Sequence, residues 1–206
     1  SNIHWDIYEG LFQEFKNNLA VIRGHTWGHD YNVEILRSNG LKSFLVVRDP
    51  RDTIISEYWH SRNYPLQWNR EIVENRTLSE YIAYVFQSGD FEKQTLNWIR
   101  DWLKYIETES VYILKYEDLL SDTFSTMKNA FEFLNFKVND NEIESIIKLN
   151  SFEKLTGRKR GVEDSSKFIR KGISGEWKEV FSDEQKIYFH SIGEDIIQQL
   201  GYEPTV

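Results

Sequence analysis

The chain has 206 residues, enough for one domain at roughly 150 residues each, with a core that needs no covalent staples. It has no cysteine, which excludes disulfides, a thiol nucleophile and thiolate metal sites. Thirty-three acids against 25 bases give a formal net charge of −8, which argues against a general nucleic-acid binder but leaves room for local arginines around a small anion.

Taken in chain order, Asp6 to Asn17 carries Ile7, Leu11, Phe12 and Phe15 on one stripe and predicts an amphipathic helix. Leu19 to Arg23 reads as a short strand, and Tyr31 to Ser38 as a short helix closed by Asn39-Gly40. Ser43 to Val47 is an apolar run that predicts a strand buried on both faces, as in a parallel sheet. Asp49 then suits an N-cap and Pro50 a first helical position, for a helix reaching about Arg62. Thr77 to Gln87, opened by a Thr77/Glu80 capping box, and Phe91 to Ile106 predict two more helices. Ser110 to Lys115 predicts a third strand. Asp122–Asn135, Asn141–Leu149 and Ser182–Leu200 predict helices, the last ended by Gly201 and Pro204. Strands alternating with helices make this an α/β chain with a mostly parallel sheet, read as one domain over residues 1–206. Ligands in such sheets sit beyond the carboxyl ends of the strands, after Ile22, Val47 and Lys115. No apolar run is long enough to span a bilayer and no basic-plus-apolar leader opens the chain, so a cytoplasmic protein without an integral membrane segment is expected.

Phe44 to His60 (FLVVRDPRDTIISEYWH) is the most informative stretch. A strand delivers Arg48 to its carboxyl end, and a helix starts at once with N–H groups and a positive dipole end that favour an anion. Arg48 has the fork geometry for a phosphate, and Ser56 on the same helix adds a hydroxyl. Taken singly, an Arg48 paired with Asp49 or Asp52 and a Ser56 on the helix surface are the plainer outcomes. A second stretch, Arg170 to Phe181 (RKGISGEWKEVF), places two cations before Gly172, whose backbone is free to approach an oxyanion. It ends a run holding Arg158, Lys159, Arg160, Lys167, Arg170 and Lys171 against Glu163 and Asp164. Alone, such a run is usually a solvated basic loop. Trp177 is expected to pack this loop onto the body.

The two stretches, in this order, resemble the sulfotransferases that use 3′-phosphoadenosine-5′-phosphosulfate (PAPS). The resemblance runs from about Val21 to Gly201. It implies a P-loop-like, three-layer α/β fold of the nucleoside-kinase/sulfotransferase type. It implies that Arg48 and Ser56 bind the 3′-phosphate of the nucleotide and that Arg170, Lys171 and Gly172 close over it. His25, 23 residues before Arg48 in VIRGHTWGHD, stands where the family carries its catalytic histidine. An imidazole titrates near neutrality and takes an acceptor proton there; His29 is its competitor. Arg23 is expected to help the transferring group electrostatically. Tyr116, opening YEDL, and Ser151 with Phe152 in Asn-Ser-Phe are similar to family segments beside the adenine, which makes Phe152 a stacking candidate; taken singly, Tyr116 reads equally as a strand-end core tyrosine and Phe152 as core.

The expected reaction moves a sulfuryl group from PAPS to a hydroxyl or amine of a small-molecule or carbohydrate acceptor, releasing the 3′,5′-bisphosphate nucleotide (PAP), with no metal. The aromatic residues Tyr58, Trp59, Tyr64, Trp68, Tyr81, Tyr84 and Phe86 lie where acceptor loops stand, most of them expected as core. The family's opening strand and phosphosulfate loop, roughly Pro-Lys-Ser-Gly-Thr-Thr-Trp, has no counterpart in these residues, nor does Gly-x-x-x-x-Gly-Lys occur. Two explanations are open, a sequence that lacks an amino-terminal piece or a degenerate member of the family; without that loop, weak PAPS binding, little or no turnover and a central sheet short of one strand are expected. A non-catalytic module that keeps the 3′-phosphate site therefore remains a rival, as does another phosphate-handling transferase such as a small-molecule kinase.

Overall fold

The structure, a computed structural model, describes residues 6–7, 21, 23–64, 67, 69–106 and 108–206. The predicted helix over Asp6–Asn17 and strand over Leu19–Arg23 lie outside the described residues, apart from Asp6, Ile7, Val21 and Arg23. In chain order the described elements are α1 (Asp30–Ser38), β1 (Ser43–Val47), α2 (Pro50–Asn63), α3 (Arg70–Glu74) and α4 (Leu78–Ser88). A π-helical turn over Glu92–Leu96 leads into α5 (Asn97–Leu103). There follow β2 (Val111–Lys115), α6 (Tyr116–Ser121), α7 (Thr123–Phe133), α8 (Asp140–Leu149), α9 (Phe152–Thr156), α10 (Trp177–Val180) and α11 (Asp183–Gln199).

Local signals set most boundaries. The Asp49 carboxylate accepts the Arg51 N–H at 2.9 Å and Pro50 begins α2, so the start of that helix is written in four residues. Thr77 and Glu80 form the reciprocal capping box of α4. Two differences from the sequence expectation have a common cause. A π turn interrupts the predicted Phe91–Ile106 helix, and α3, α6, α9 and α10 have no counterpart among the predicted elements. Helices of four to six residues are too short to show a hydrophobic period, and a single π turn barely disturbs one.

The strands β1 and β2 pair in parallel, Ser43 opposite Val111 through to Val47 opposite Lys115. Parallel pairing needs a crossover, which α2 to α5 supply. Leu45 and Val47 enter the core with Ile54, Ile55, Ile82, Leu96, Trp102, Phe189 and Ile197. The expectation that β1 is buried on both faces is corrected: Val46 is 60% exposed, and on its face only Phe44 is covered, by Phe133 of α7 at 5.7 Å between ring centroids. The register has one consequence for function. The two chain segments leave the sheet side by side, so Arg48 and Tyr116 emerge together beyond the strand ends.

Candidate phosphate-binding site

The two arginines of Arg-Asp-Pro-Arg-Asp part ways. Arg51 is buried. Its Nε and Nη2 donate to the Asp49 carboxylate at 2.9 and 2.7 Å, its Nη1 donates to Thr205 at 2.9 Å, and its guanidinium lies 3.7 Å from the Trp177 ring centroid. All its charge is spent inside the fold. Arg48 is different. Its Nη2 donates to the Ile173 carbonyl at 3.1 Å, the nearest carboxylate oxygen, on Asp52, is 4.0 Å away, and the guanidinium stands 4.8 Å from the Tyr116 ring centroid. Its Nε is buried without a hydrogen-bond partner. A buried charged donor left unsatisfied is costly, and an anion would answer it.

Ile173 belongs to the second cationic stretch, so the strand-end arginine and the distant loop do meet. Asp52 fastens them. One carboxylate oxygen accepts the Gly175 N–H at 2.5 Å and the other the Trp177 N–H at 3.0 Å. Burial pushes the Asp52 carboxyl above its ordinary range, against the pull of those two N–H groups and of Arg48. Trp177 is buried against Arg51, which packs the loop onto the body. Upstream, the loop pairs with itself: Gly161 N–H donates to the Lys171 carbonyl at 2.9 Å and Asp164 N–H to the Arg170 carbonyl at 3.1 Å. Arg158 acts as an internal strut, donating to the carbonyls of Val162 and Arg170, each at 2.7 Å.

The cations predicted to face a phosphate carry partners of their own. Arg170 donates to Glu163 at 2.7 Å and to both oxygens of Glu176. Lys171 lies 3.3 Å from Glu176 and 3.9 Å from Glu163. Gly172 takes φ of +67°, and a Cβ there would stand 2.5 Å from Phe152 Cδ2. Only glycine fits, both by backbone conformation and by the ring beneath it.

Phe152 is therefore a floor under Gly172. It is 7% exposed, with the Arg158 guanidinium 5.4 Å from the ring centroid, rather than an open platform for a base. Ser151 caps α9, its hydroxyl accepting the Lys154 N–H at 3.2 Å. Tyr116 lies partly buried under Arg48; burial raises its hydroxyl pKa, against the pull of Arg48 and Arg160. Ser56 sits partly buried on the second turn of α2, the helix whose first turn follows Arg48.

His25 is exposed in a segment without regular secondary structure. The neighbouring Thr26 carbonyl accepts the indole N–H groups of Trp98 and Trp102 at 2.7 and 2.8 Å. A Cβ on Gly28 would meet the Trp102 backbone at 2.5 Å, so this segment lies directly on α5. His29 is engaged, 2.7 Å from Asp6 and 3.3 Å from Asn32. Arg23 is exposed. Of the aromatic candidates, Tyr58, Tyr81 and Phe86 are core, Trp59 and Tyr84 are partly buried against it, Tyr64 is exposed, and Trp68 lies outside the described residues. Trp59 and Tyr58 line an open cleft of about 600 Å³ with Arg62, Arg76 and Glu80. Among the described residues no group of three His, Asp or Glu side chains is placed to hold a metal, and no helix is long and apolar enough to cross a membrane.

Sequence reasoning misses Asp52 as the fastener and Glu163 and Glu176 as counterions. Asp52 does carry a signal, one helical turn after Arg48, but its partners are backbone groups that no side-chain pattern announces.

The family model described as a sulfotransferase domain matches residues 10–201. The chain is 27% identical over 178 residues to a 3-beta-hydroxysteroid sulfotransferase of Cavia porcellus, covering 82% of this chain and 60% of that one. It is 25% identical to sulfotransferase 2A1 of Rattus norvegicus over 198 residues, covering 92% and 67%. The chain thus spans about 60% of the length of the guinea-pig relatives it matches. Among solved structures it resembles mouse sulfotransferase SULT7A1 complexed with PAP, with a TM-score of 0.68, 20% identity, and 92% and 69% of the two chains covered. It also resembles a retinol dehydratase in complex with androsterone and PAP, with a TM-score of 0.58, 20% identity, and 80% and 49% covered. These likenesses establish the P-loop-like α/β fold.

Proposed function

The chain belongs to the sulfotransferase domain family, and from that premise we propose that it binds a 3′-phosphorylated adenine nucleotide and serves sulfuryl transfer to a small hydroxylated acceptor. The observation that carries the reading is the meeting of Arg48 with the Arg170–Ile173 loop, around a guanidinium whose buried Nε has no partner. The residues present fit a 3′-phosphate. Arg48 offers charged donors, Ser56 a hydroxyl, and Gly172 a backbone that approaches closely. Arg170 and Lys171 add charge, Tyr116 borders the site beneath Arg48, Phe152 supports Gly172, and Ser151 caps α9, the helix that carries Phe152. When bound, PAPS supplies the sulfuryl group and a bisphosphate leaving group. His25 takes the acceptor proton. It is exposed on a segment pinned to α5, while His29 is engaged by Asp6 and Asn32. The curated relatives named for hydroxysteroids support a small alcohol as acceptor. One core joins β1, β2 and α11, which supports a single domain. A reducing cytosol suits a chain without cysteine, and a cytoplasmic location belongs to this proposal.

Calorimetric titration with PAP and with adenosine 5′-monophosphate (AMP) tests the reading. PAP binds more tightly by roughly tenfold or more, since hydrogen bonds to a charged group contribute on the order of 1.5–3 kcal/mol. Equal affinities would remove the 3′-phosphate site. A sulfate-transfer assay on a hydroxysteroid separates an enzyme from a binding module.

A further inference from the structure

Arg170 and Lys171 already face two carboxylates, Glu163 and Glu176. These two differ in kind. Glu176 is 11% exposed and lies between Gly175 and Trp177, whose N–H groups are both clamped by Asp52. It is part of the scaffold. Glu163 is 37% exposed and reaches across the Asp164–Arg170 pairing to touch Arg170 Nη1 at 2.7 Å, with Lys171 at 3.9 Å. Its backbone is held by the paired loop, but its half-open side chain is able to swing away.

We propose that Glu163 is a built-in competitor for the nucleotide's 3′-phosphate, a residue that tunes how tightly the bisphosphate is held. This rests on the reading of the preceding section. A phosphate brings more charge and more acceptor oxygens than one carboxylate, so it displaces Glu163 from Arg170 and Lys171. Breaking the Glu163–Arg170 ion pair offsets part of the phosphate's gain. Because the Glu163 side chain is well exposed, that offset is small, corresponding to roughly two- to fivefold in affinity. A nucleotide without a 3′-phosphate leaves Glu163 in place and does not feel the competition. The outcome for catalysis is a looser hold on the product, and product release limits many enzymes.

The test is calorimetric titration of the full chain, as wild type, Glu163→Gln and Glu163→Ala, with PAP and separately with AMP; thermal melts confirm that each variant is folded. The expected result is PAP binding roughly two- to fivefold tighter in both variants, with AMP affinity unchanged. Unchanged or weaker PAP binding would overturn the proposal, because Glu163 would then be inert or would orient Arg170 toward the phosphate. Equal tightening toward both nucleotides would also overturn it, as a general charge effect. Equal binding of PAP and AMP by the wild type would instead remove the 3′-phosphate site, and the competitor with it.

Discussion

Replacing Gly172 by alanine tests the loop most sharply. The residue sits at φ of +67°, and its Cβ would lie 2.5 and 2.6 Å from Cδ2 and Cε2 of Phe152. The backbone conformation alone costs a non-glycine residue about 1–2 kcal/mol. Relief of the clash requires moving either the Phe152 ring, which is in the core, or the loop. Overpacking of that sort costs about 1–3 kcal/mol. The sum, about 2–5 kcal/mol, is a large share of a domain's total stability of about 5–15 kcal/mol. Two readouts separate its destinations. Urea unfolding followed by circular dichroism reports the part lost globally, and PAP titration reports the part absorbed by displacing Arg170 to Ile173. Adding Phe152→Leu to Gly172→Ala should recover the clash portion and leave the backbone portion. A Gly172→Ala variant with native stability and native PAP affinity would refute the account of this loop.

Arg48→Ala should lose about 2 kcal/mol of PAP affinity, the scale for a charged donor to phosphate, while AMP binding in the same calorimeter changes little. Asp52→Asn replaces an acceptor of two N–H groups by a side chain with one acceptor and one donor; about 1–3 kcal/mol of stability should be lost in urea titrations, with faster amide exchange at Gly175 and Trp177. His25→Ala should abolish sulfate transfer and leave PAP affinity within about twofold; a retained rate would reassign the base. Burial works against the Glu176 charge, yet Arg170 and Lys171 outweigh it and hold the carboxyl below its ordinary range. Its contribution to stability is therefore present above the ordinary glutamate pKa and is lost as pH falls through the depressed value. Melting temperature against pH should accordingly fall more steeply in acid for the wild type than for Glu176→Gln.

The sequence is most legible where chemistry is local. Asp49-Pro50 announces α2, Thr77 with Glu80 announces α4, and the apolar run Ser43–Val47 announces β1. Arg48 stands out because it ends that strand, and the structure does bring it to the Arg170–Ile173 loop. Three features stay hidden because they depend on groups distant in sequence. Arg48 and Arg51 look alike in Arg-Asp-Pro-Arg-Asp, and only the fold buries Arg51 between Asp49, Thr205 and Trp177. Phe152 looks like a stacking ring until Gly172 is seen to rest on it. The basic run from Arg158 to Lys171 looks like free charge, whereas Arg158 braces carbonyl groups and Arg170 is held by two glutamates.

The central claim is that Arg48 and the Arg170–Gly172 loop grip one phosphate. A crystal structure of the chain with PAP measures this directly. The account predicts 3′-phosphate oxygens at about 3 Å from the Arg48 guanidinium and from the Gly172 N–H. A nucleotide whose 3′-phosphate contacts neither, with Arg48 still bonded only to the Ile173 carbonyl, would contradict it.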